Sequence, residues 1–203
     1  MEVIAITICL NYSHVLEHTI KQNSKFFKKW IIVTSISDTK TIQLLENFKD
    51  IIHVLIYNDF HINKSSLNKG GAIKFAQDYT DIHFKDSKIL ILDADIYLPD
   101  IFLEKLPMTL EPDTLYGVSE RYDFWSVNDF MKNSNPHKYR LGDEFVGFFQ
   151  LYKQNPIYKY QNSHNCSQCD NWFRDLFLKK QRLEISVKHL GKEGVNWNGI
   201  KKK

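Results

Sequence analysis

Apolar and polar positions fall in blocks along the first hundred residues. Val3 to Leu10 is β-branched and apolar, Asn11 to Ser13 interrupts it, and Val15, Leu16, Ile20 and Phe26 then recur at helical spacing. Strand, loop and helix are predicted in that order. A second apolar run, Trp30 to Ile36, stops at Ser37 and Asp38, and Thr41 precedes the helix-spaced Ile42, Leu45 and Phe48. Ile51 to Tyr57 gives a third strand ending in Asn58 and Asp59, Gly70 and Gly71 open a helix carrying Ile73, Phe75 and Ala76, and Lys88 to Leu92 gives a fourth strand. Strands apolar on both faces and separated by helices predict an α/β, Rossmann-like fold, a mostly parallel central sheet flanked by helices. In such sheets ligands bind beyond the carboxyl ends of the strands, which puts Asn11, Asp38, Asp59 and Asp93 along one rim.

The second half reads differently. Thr114 to Ser119 and Gly147 to Tyr152 have strand character, and between them the polar stretch from Tyr122 to Gly142 reads as a long functional or mobile loop. Cys169 to Lys180 carries Trp172, Phe173, Leu176 and Phe177 at helical spacing, and a last strand, Leu183 to Val187, leads into His189. With no repeat, low-complexity block or linker to divide it, a chain of 203 residues is expected to form a single domain over residues 1–203.

Composition narrows the function classes. Hydrophobic residues at 43% and charged ones at 25%, with 14 Phe and 10 Tyr, exclude a disordered chain. A net charge of +3, with the lysines dispersed except for Lys201 to Lys203, offers no basic stripe for nucleic acid. Stretches such as Ile89 to Leu92 are far too short to span a bilayer, and Glu2, Asn11 and Tyr12 break any signal-peptide pattern, so a cytosolic protein without a transmembrane segment is expected. Three cysteines make no disulfide framework. Cys9 fits a core position, whereas His164, Cys166 and Cys169 have the residue types of a zinc site but lack an evident fourth ligand.

The chemistry concentrates in Ile89-Leu-Ile-Leu-Asp93-Ala-Asp95-Ile-Tyr-Leu98, a buried strand delivering two carboxylates at its carboxyl end. Residues i and i+2 of an extended segment share a face, and a divalent cation is the usual reason to tolerate two anions so placed. The alternative is that Asp93 caps a turn while Asp95 and Asp100 are solvated. Lys69, beside glycine-permitted backbone N–H groups at a helix start, suits a phosphate, or is an exposed lysine on an ordinary turn.

In this order of elements the chain resembles the GT-A glycosyltransferases, particularly the family 2-like inverting enzymes. The resemblance rests on the opening strand with its Asn11-Tyr12 loop, the second strand ending in Asp38, Asn68-Lys69-Gly70-Gly71-Ala72 opening the helix, and Asp93-Ala-Asp95. It implies a donor half over residues 1–98 and an acceptor and catalytic half over 99–203. It also implies a nucleotide-sugar donor, UDP-, GDP- or dTDP-linked, gripped by Asn11, Asp38, Asp59, Lys69, Gly70 and Asp93, and a glycan or other hydroxyl acceptor. Manganese or magnesium would be held by Asp93, Asp95 and His189, an imidazole shifting the preference toward manganese.

Gly147-Phe-Phe-Gln150 is similar to the strand that shapes the acceptor side of these enzymes. Where the family commonly has Glu-Asp as its base motif, this chain has Cys169-Asp170, so Asp170 is the candidate base, with Asp143 and Glu144 as substitutes. A carboxylate in a first helical turn is also stabilised by the helix dipole without catalysis. Arg121, Trp125 and Arg140 lie where acceptor contacts are expected, and Gly194 to Trp197 could close over the sugar. A nucleotidyltransferase of this fold would need a glycine- and arginine-rich loop where this chain has Asn11-Tyr-Ser-His14. A dehalogenase-like phosphatase would place its Asp pair near the start of its core. A noncatalytic sugar- or nucleotide-binding module with this fold is the rival from another class.

Overall fold

The computed structural model describes residues 2–142, 145, 147–164 and 166–191. In chain order the elements are β1 (Val3–Ile8), α1 (Ser13–Asn23), β2 (Lys29–Thr34), α2 (Thr39–Leu45), β3 (Ile52–Ile56), α3 (Lys69–His83), β4 (Lys88–Leu92), β5 (Ile96–Tyr97), β6 (Thr114–Asp123), α4 (Val127–Met131), β7 (His137–Arg140), β8 (Phe149–Lys153), α5 (Cys166–Asp175) and β9 (Lys179–His189). One sheet runs β3-β2-β1-β4-β8-β6-β9-β5, with β7 paired on β6.

The first four strands pair in parallel. β8 enters antiparallel to β4, β6 reverses again beside it, and β9 follows β6 in parallel. Only β5, β7 and β8 oppose the common direction, so the sheet is mostly parallel, as its sequence predicted. The unbroken apolar runs have the expected consequence, since every residue of β4 is buried. One core packs α1 residues such as Leu16 and Ile20 against the sheet, and a second packs α3 and α5 residues such as Ile73 and Phe173 on the other face.

Several elements differ from the sequence reading. The stretch from Tyr122 to Gly142 is not one loop, because β6 runs on to Asp123 and is followed by α4 and β7. Its polarity reflects a strand pair with a solvated face; β7 has no buried residue. The helix expected to reach Lys180 ends at Asp175, and β9 starts at Lys179, well before Leu183. Only Leu183, Ile185 and Val187 carry the strand's buried face, so the apolar pattern marked its middle alone. Trp172, Leu176 and Phe75, expected to face the core, are 45%, 40% and 41% exposed. Among the described residues no helix is long and apolar enough to cross a membrane.

Candidate functional site

At the carboxyl end of β4 the chain turns sharply. The Asp93 N–H donates to the Phe148 carbonyl (3.0 Å), and the Ile96 N–H closes a turn onto the Asp93 carbonyl (3.2 Å). Asp93 and Asp95 therefore share a turn and not an extended face. The pleat argument does not apply here, and the two carboxylates acquire separate surroundings. Helix α1 fixes the turn from below. Thr19 Oγ1 donates to the Ala94 carbonyl (2.7 Å), Asn23 Nδ2 donates to the Ile96 carbonyl (2.7 Å), and Asn23 Oδ1 accepts from the Leu98 N–H (3.0 Å). Both side chains are fully buried. Sequence reasoning missed this pair, although polar residues at i and i+4 on the apolar face of α1 were the signal available.

On one side of the turn lies Lys69, buried at the start of α3. Its Nζ is 2.9 Å from Asp93 Oδ1 and 3.3 Å from Asp170 Oδ2, so one ammonium bridges two carboxylates. Tyr160, also buried, places its hydroxyl 3.2 Å from Asp170 Oδ1. Gln150 completes the network, its amide donating to the Phe145 and Asp170 carbonyls while its oxygen meets the Tyr160 hydroxyl. A Cβ at Gly147 would fall 1.9 Å from Asp170 Cγ, so the Gly147-Phe-Phe-Gln150 segment needs glycine to let α5 approach. Desolvation pushes the Asp93 carboxyl up to about 6, with Asp95 and Asp170 adding to the rise and Lys69 opposing it.

On the other side lies His189, the last residue of β9. Its Nε2 is 3.2 Å from Asp95 Oδ2 and its Nδ1 is 3.2 Å from Asp123 Oδ1. The β6–β9 register sets Asp123 opposite His189, and Arg121 Nε holds Asp123 at 2.7 Å. The Tyr12 hydroxyl donates to Asp95 Oδ2 (3.3 Å) and the Leu190 N–H to the Asp95 carbonyl (3.0 Å). Burial alone would lower the His189 imidazole, but the two flanking carboxylates push it up to about 9. Burial would likewise raise Asp95, yet the charge of His189 and its hydrogen bond bring that carboxyl below its ordinary range.

The remaining expected site residues have differing surroundings. Asp38 is a buried cap for α2, accepting from the Thr41 N–H (3.2 Å), the Thr34 hydroxyl (3.2 Å) and the Asn11 N–H (2.7 Å). Asn11 takes a left-handed backbone (φ 55°), which asparagine tolerates better than most residues. Asp59 is exposed just beyond β3. Gly70 and Gly71 are buried by packing: a Cβ at Gly70 would fall 1.9 Å from the Gln161 carbonyl oxygen, and the Gly70 N–H points to Ser163 Oγ (3.4 Å). Asn68, which the sequence named only within its motif, caps α3 through Gly71 (3.0 Å) and also accepts from the Ser163 N–H (2.9 Å).

Asp93, Asp95 and His189 are not drawn into one cluster; among the described residues no three His, Cys, Asp or Glu side chains are gathered to hold a metal ion. The donor set nevertheless suits a hard divalent cation. Asp95 Oδ1 is buried and accepts no hydrogen bond from another described residue, and Asp93 exposes 37% of its side chain. Of the expected acceptor residues, Arg121 is tied to Asp123, Arg140 lies exposed on β7 and Trp125 is 58% exposed. Cys9 is a core residue, as its pattern indicated. Cys169 is buried with its Sγ on Asp170 Oδ1 (3.7 Å), which assigns it to the Asp170 network. Asp143, Glu144, the Cys166 side chain, Gly194 to Trp197 and Lys201 to Lys203 lie outside what is described.

No protein-family model matches the chain. An inactive lipoate–protein ligase 2 from Plasmodium falciparum (isolate 3D7) is 29% identical over 111 residues, 53% of this chain, and the match spans only 28% of that protein. Among solved structures, a 4-diphosphocytidyl-2C-methyl-D-erythritol synthase superposes with a TM-score of 0.56 at 13% identity, covering 91% of this chain and 88% of the other. Mannosyl-3-phosphoglycerate synthase from Rubrobacter xylanophilus gives 0.53 at 13% identity, covering 94% and 66%. Glucosyl-3-phosphoglycerate synthase from Mycobacterium tuberculosis, in complex with Mn2+, UDP and glucosyl-3-phosphoglycerate, gives 0.51 at 11%, covering 93% and 71%. Identities this low speak to architecture alone. The architecture these likenesses share with the chain is a GT-A-like fold, of the kind found in nucleotide-diphospho-sugar transferases.

Proposed function

We propose that the chain transfers a sugar from a nucleoside-diphosphate sugar to an acceptor hydroxyl, with inversion at the anomeric carbon. The observation that carries this reading is the Asp93-Ala-Asp95 turn at the carboxyl end of β4, with Lys69 beside the first carboxylate and His189 beside the second. It is supported by the GT-A-like fold and by two neighbours whose names describe sugar transfer, one of them holding Mn2+ and UDP. Asp93, Asp95 and His189 would hold manganese or magnesium, which would offset charge on the diphosphate. Lys69 draws the diphosphate toward the site and neutralises part of the charge that grows on it as the sugar leaves. Asn11, Asp38, Asp59 and Gly70 shape the nucleotide end.

Asp170 is the proposed base. An acceptor hydroxyl must come within about 3 Å of one of its oxygens. Buried Tyr160 stands against Oδ1 from the core side, so the approach is from the side of Lys69 and Asp93. The likeness to a 4-diphosphocytidyl-2C-methyl-D-erythritol synthase sustains nucleotidyl transfer as a second reading, against which the Asn11-Tyr12-Ser13-His14 loop still counts.

The products separate these readings. UDP-, GDP- and dTDP-sugars are incubated with the protein and mixed acceptors, with manganese or with chelator. Release of free nucleoside diphosphate that needs manganese and is lost in Asp95→Ala is the expected result. Pyrophosphate release from a nucleoside triphosphate would move the assignment to nucleotidyl transfer, and metal-dependent nucleotide binding without turnover would leave a binding module.

A further inference from the structure

Beside Asp95, on the face away from Lys69, lies a cleft of about 410 Å³ whose lining includes Tyr12, His14, Trp125, Ser126, Asn128 and Gly191. It is built against the acidic turn: Tyr12 donates to Asp95, and a Cβ at Gly191 would stand 3.5 Å from Asp95 Oδ2. We propose that this cleft is a binding subsite for an uncharged pyranose ring. The proposal rests on the transferase reading for its place in the reaction, but not for the binding itself.

Three features of the lining select that chemistry. Its described residues include aromatic rings and no lysine, arginine, aspartate or glutamate. Tyr12 and His14 meet edge to face at 5.2 Å, and Trp125 leaves 58% of its surface to solvent at the rim. An aromatic face covers the C–H face of a sugar at little entropic cost. Two neutral polar groups are available, since neither the Trp125 indole N–H nor the Asn128 side-chain amide bonds to any described residue, whereas the Ser126 hydroxyl is spent on Asp129 (2.7 Å) and the Tyr12 hydroxyl on Asp95 (3.3 Å).

Charge points the same way. A phosphorylated or carboxylated ligand would enter beside Asp95 with no lysine or arginine in the described lining to meet it, and His189 and Arg121, basic groups of that flank, are already paired with Asp95 and Asp123. The volume falls within the usual range for small-ligand sites, roughly 300–1,000 Å³.

The test is calorimetry on the full chain. Methyl glycosides of glucose, galactose, mannose and N-acetylglucosamine are compared with glucose 6-phosphate, mannose 6-phosphate and 3-phosphoglycerate. At least one neutral glycoside should bind about tenfold or more tighter than every phosphate ester, and Trp125→Ala and Asn128→Ala should each weaken it several-fold. Both positions are exposed or partly exposed, so the variants should fold, which circular dichroism checks. Tighter binding of the phosphate esters, binding indifferent to both substitutions, or no binding by any member of the panel overturns the proposal. A second arm assigns the ring's source. If a UDP-sugar displaces the glycoside and UDP does not, the ring belongs to the donor; if glycoside binding persists under saturating UDP-sugar, it belongs to the acceptor. UDP with manganese, titrated alone into wild type and Asp95→Ala, keeps the readings apart: glycoside binding without any nucleotide binding would sink the transfer and leave the cleft standing.

Discussion

The two flanks of the acidic turn are built differently although only Ala94 separates their carboxylates. On the Asp93 flank a single ammonium, Lys69, serves two carboxylates, and residues from α3, β8 and α5 lock it in place. On the Asp95 flank a single imidazole, His189, stands between two carboxylates, Asp123 set opposite it by the β6–β9 register and Asp95 brought beside it by the β5–β9 pairing. Asp93 is raised to about 6, while Asp95 is lowered. Position in sequence gives the carboxylates near identity; their counter-charges make them different groups. Lys69 bridges the carboxylates of Asp93 and Asp170, whereas His189 stands between those of Asp95 and Asp123.

Substituting the two in turn should break the comparison most visibly. Asp95→Ala is expected to cut metal-dependent release of nucleoside diphosphate by about a thousandfold, the scale of losing a preorganised charge contact. Asp93→Asn, which leaves Lys69 its Asp170 partner, should cost about tenfold. Equal losses in steady-state assays would mean that the flanks act as one unit.

The support under the turn is the next largest effect. Asn23→Ala orphans the Ile96 carbonyl and the Leu98 N–H, both buried, at a cost of about 3 kcal/mol. In a chain of this size that lowers the thermal midpoint by roughly 6–12 °C. A calorimetric midpoint within a degree of wild type would show that α1 does not hold the turn.

A smaller effect sharpens the His189 flank. Its imidazole rises from an ordinary value of 6.5 to about 9 in the fold, so its contribution is complete below about 6.5 and lost as pH climbs through 9. Chelated protein should therefore lose on the order of 2 kcal/mol across that window. Asp93, raised from 3.8 to about 6, loses its share lower, between those values, and lowered Asp95 works in the opposite sense at acid pH. His189→Gln should flatten the upper window alone; a wild-type melting curve already flat from pH 6.5 to 9 would show that His189 is not held between its carboxylates as an imidazolium.

Much of the frame from β1 to β4 was legible in the chain. β1, β2 and β4 are apolar runs buried almost throughout, and β3, in which only Ile52 is buried, repeats their spacing between turn residues, so a parallel sheet, its rim and the place of Asp93 could be read directly. Beyond Leu98 the signal weakens. β9 alternates, β7 is solvated throughout and β5 has two residues, so periodicity marked only fragments of this half. Residue types at the site were legible too, as Lys69, Asp93, Asp95, Asp170 and His189 were all marked by motif.

By itself, then, the sequence determined the layer architecture, the sheet edge where the acidic turn lies and the residue types offered there, because burial patterns and turn residues are local properties of the chain. Tertiary structure alone decided who meets whom. That Lys69 bridges Asp93 and Asp170 depends on how closely α5 packs against Gly70 and Gly147, and that His189 stands between Asp95 and Asp123 depends on the pairing of β9 with both β5 and β6. Such contacts are set by steric fit and backbone pairing between residues as many as 101 positions apart, and no local pattern in the chain encodes them.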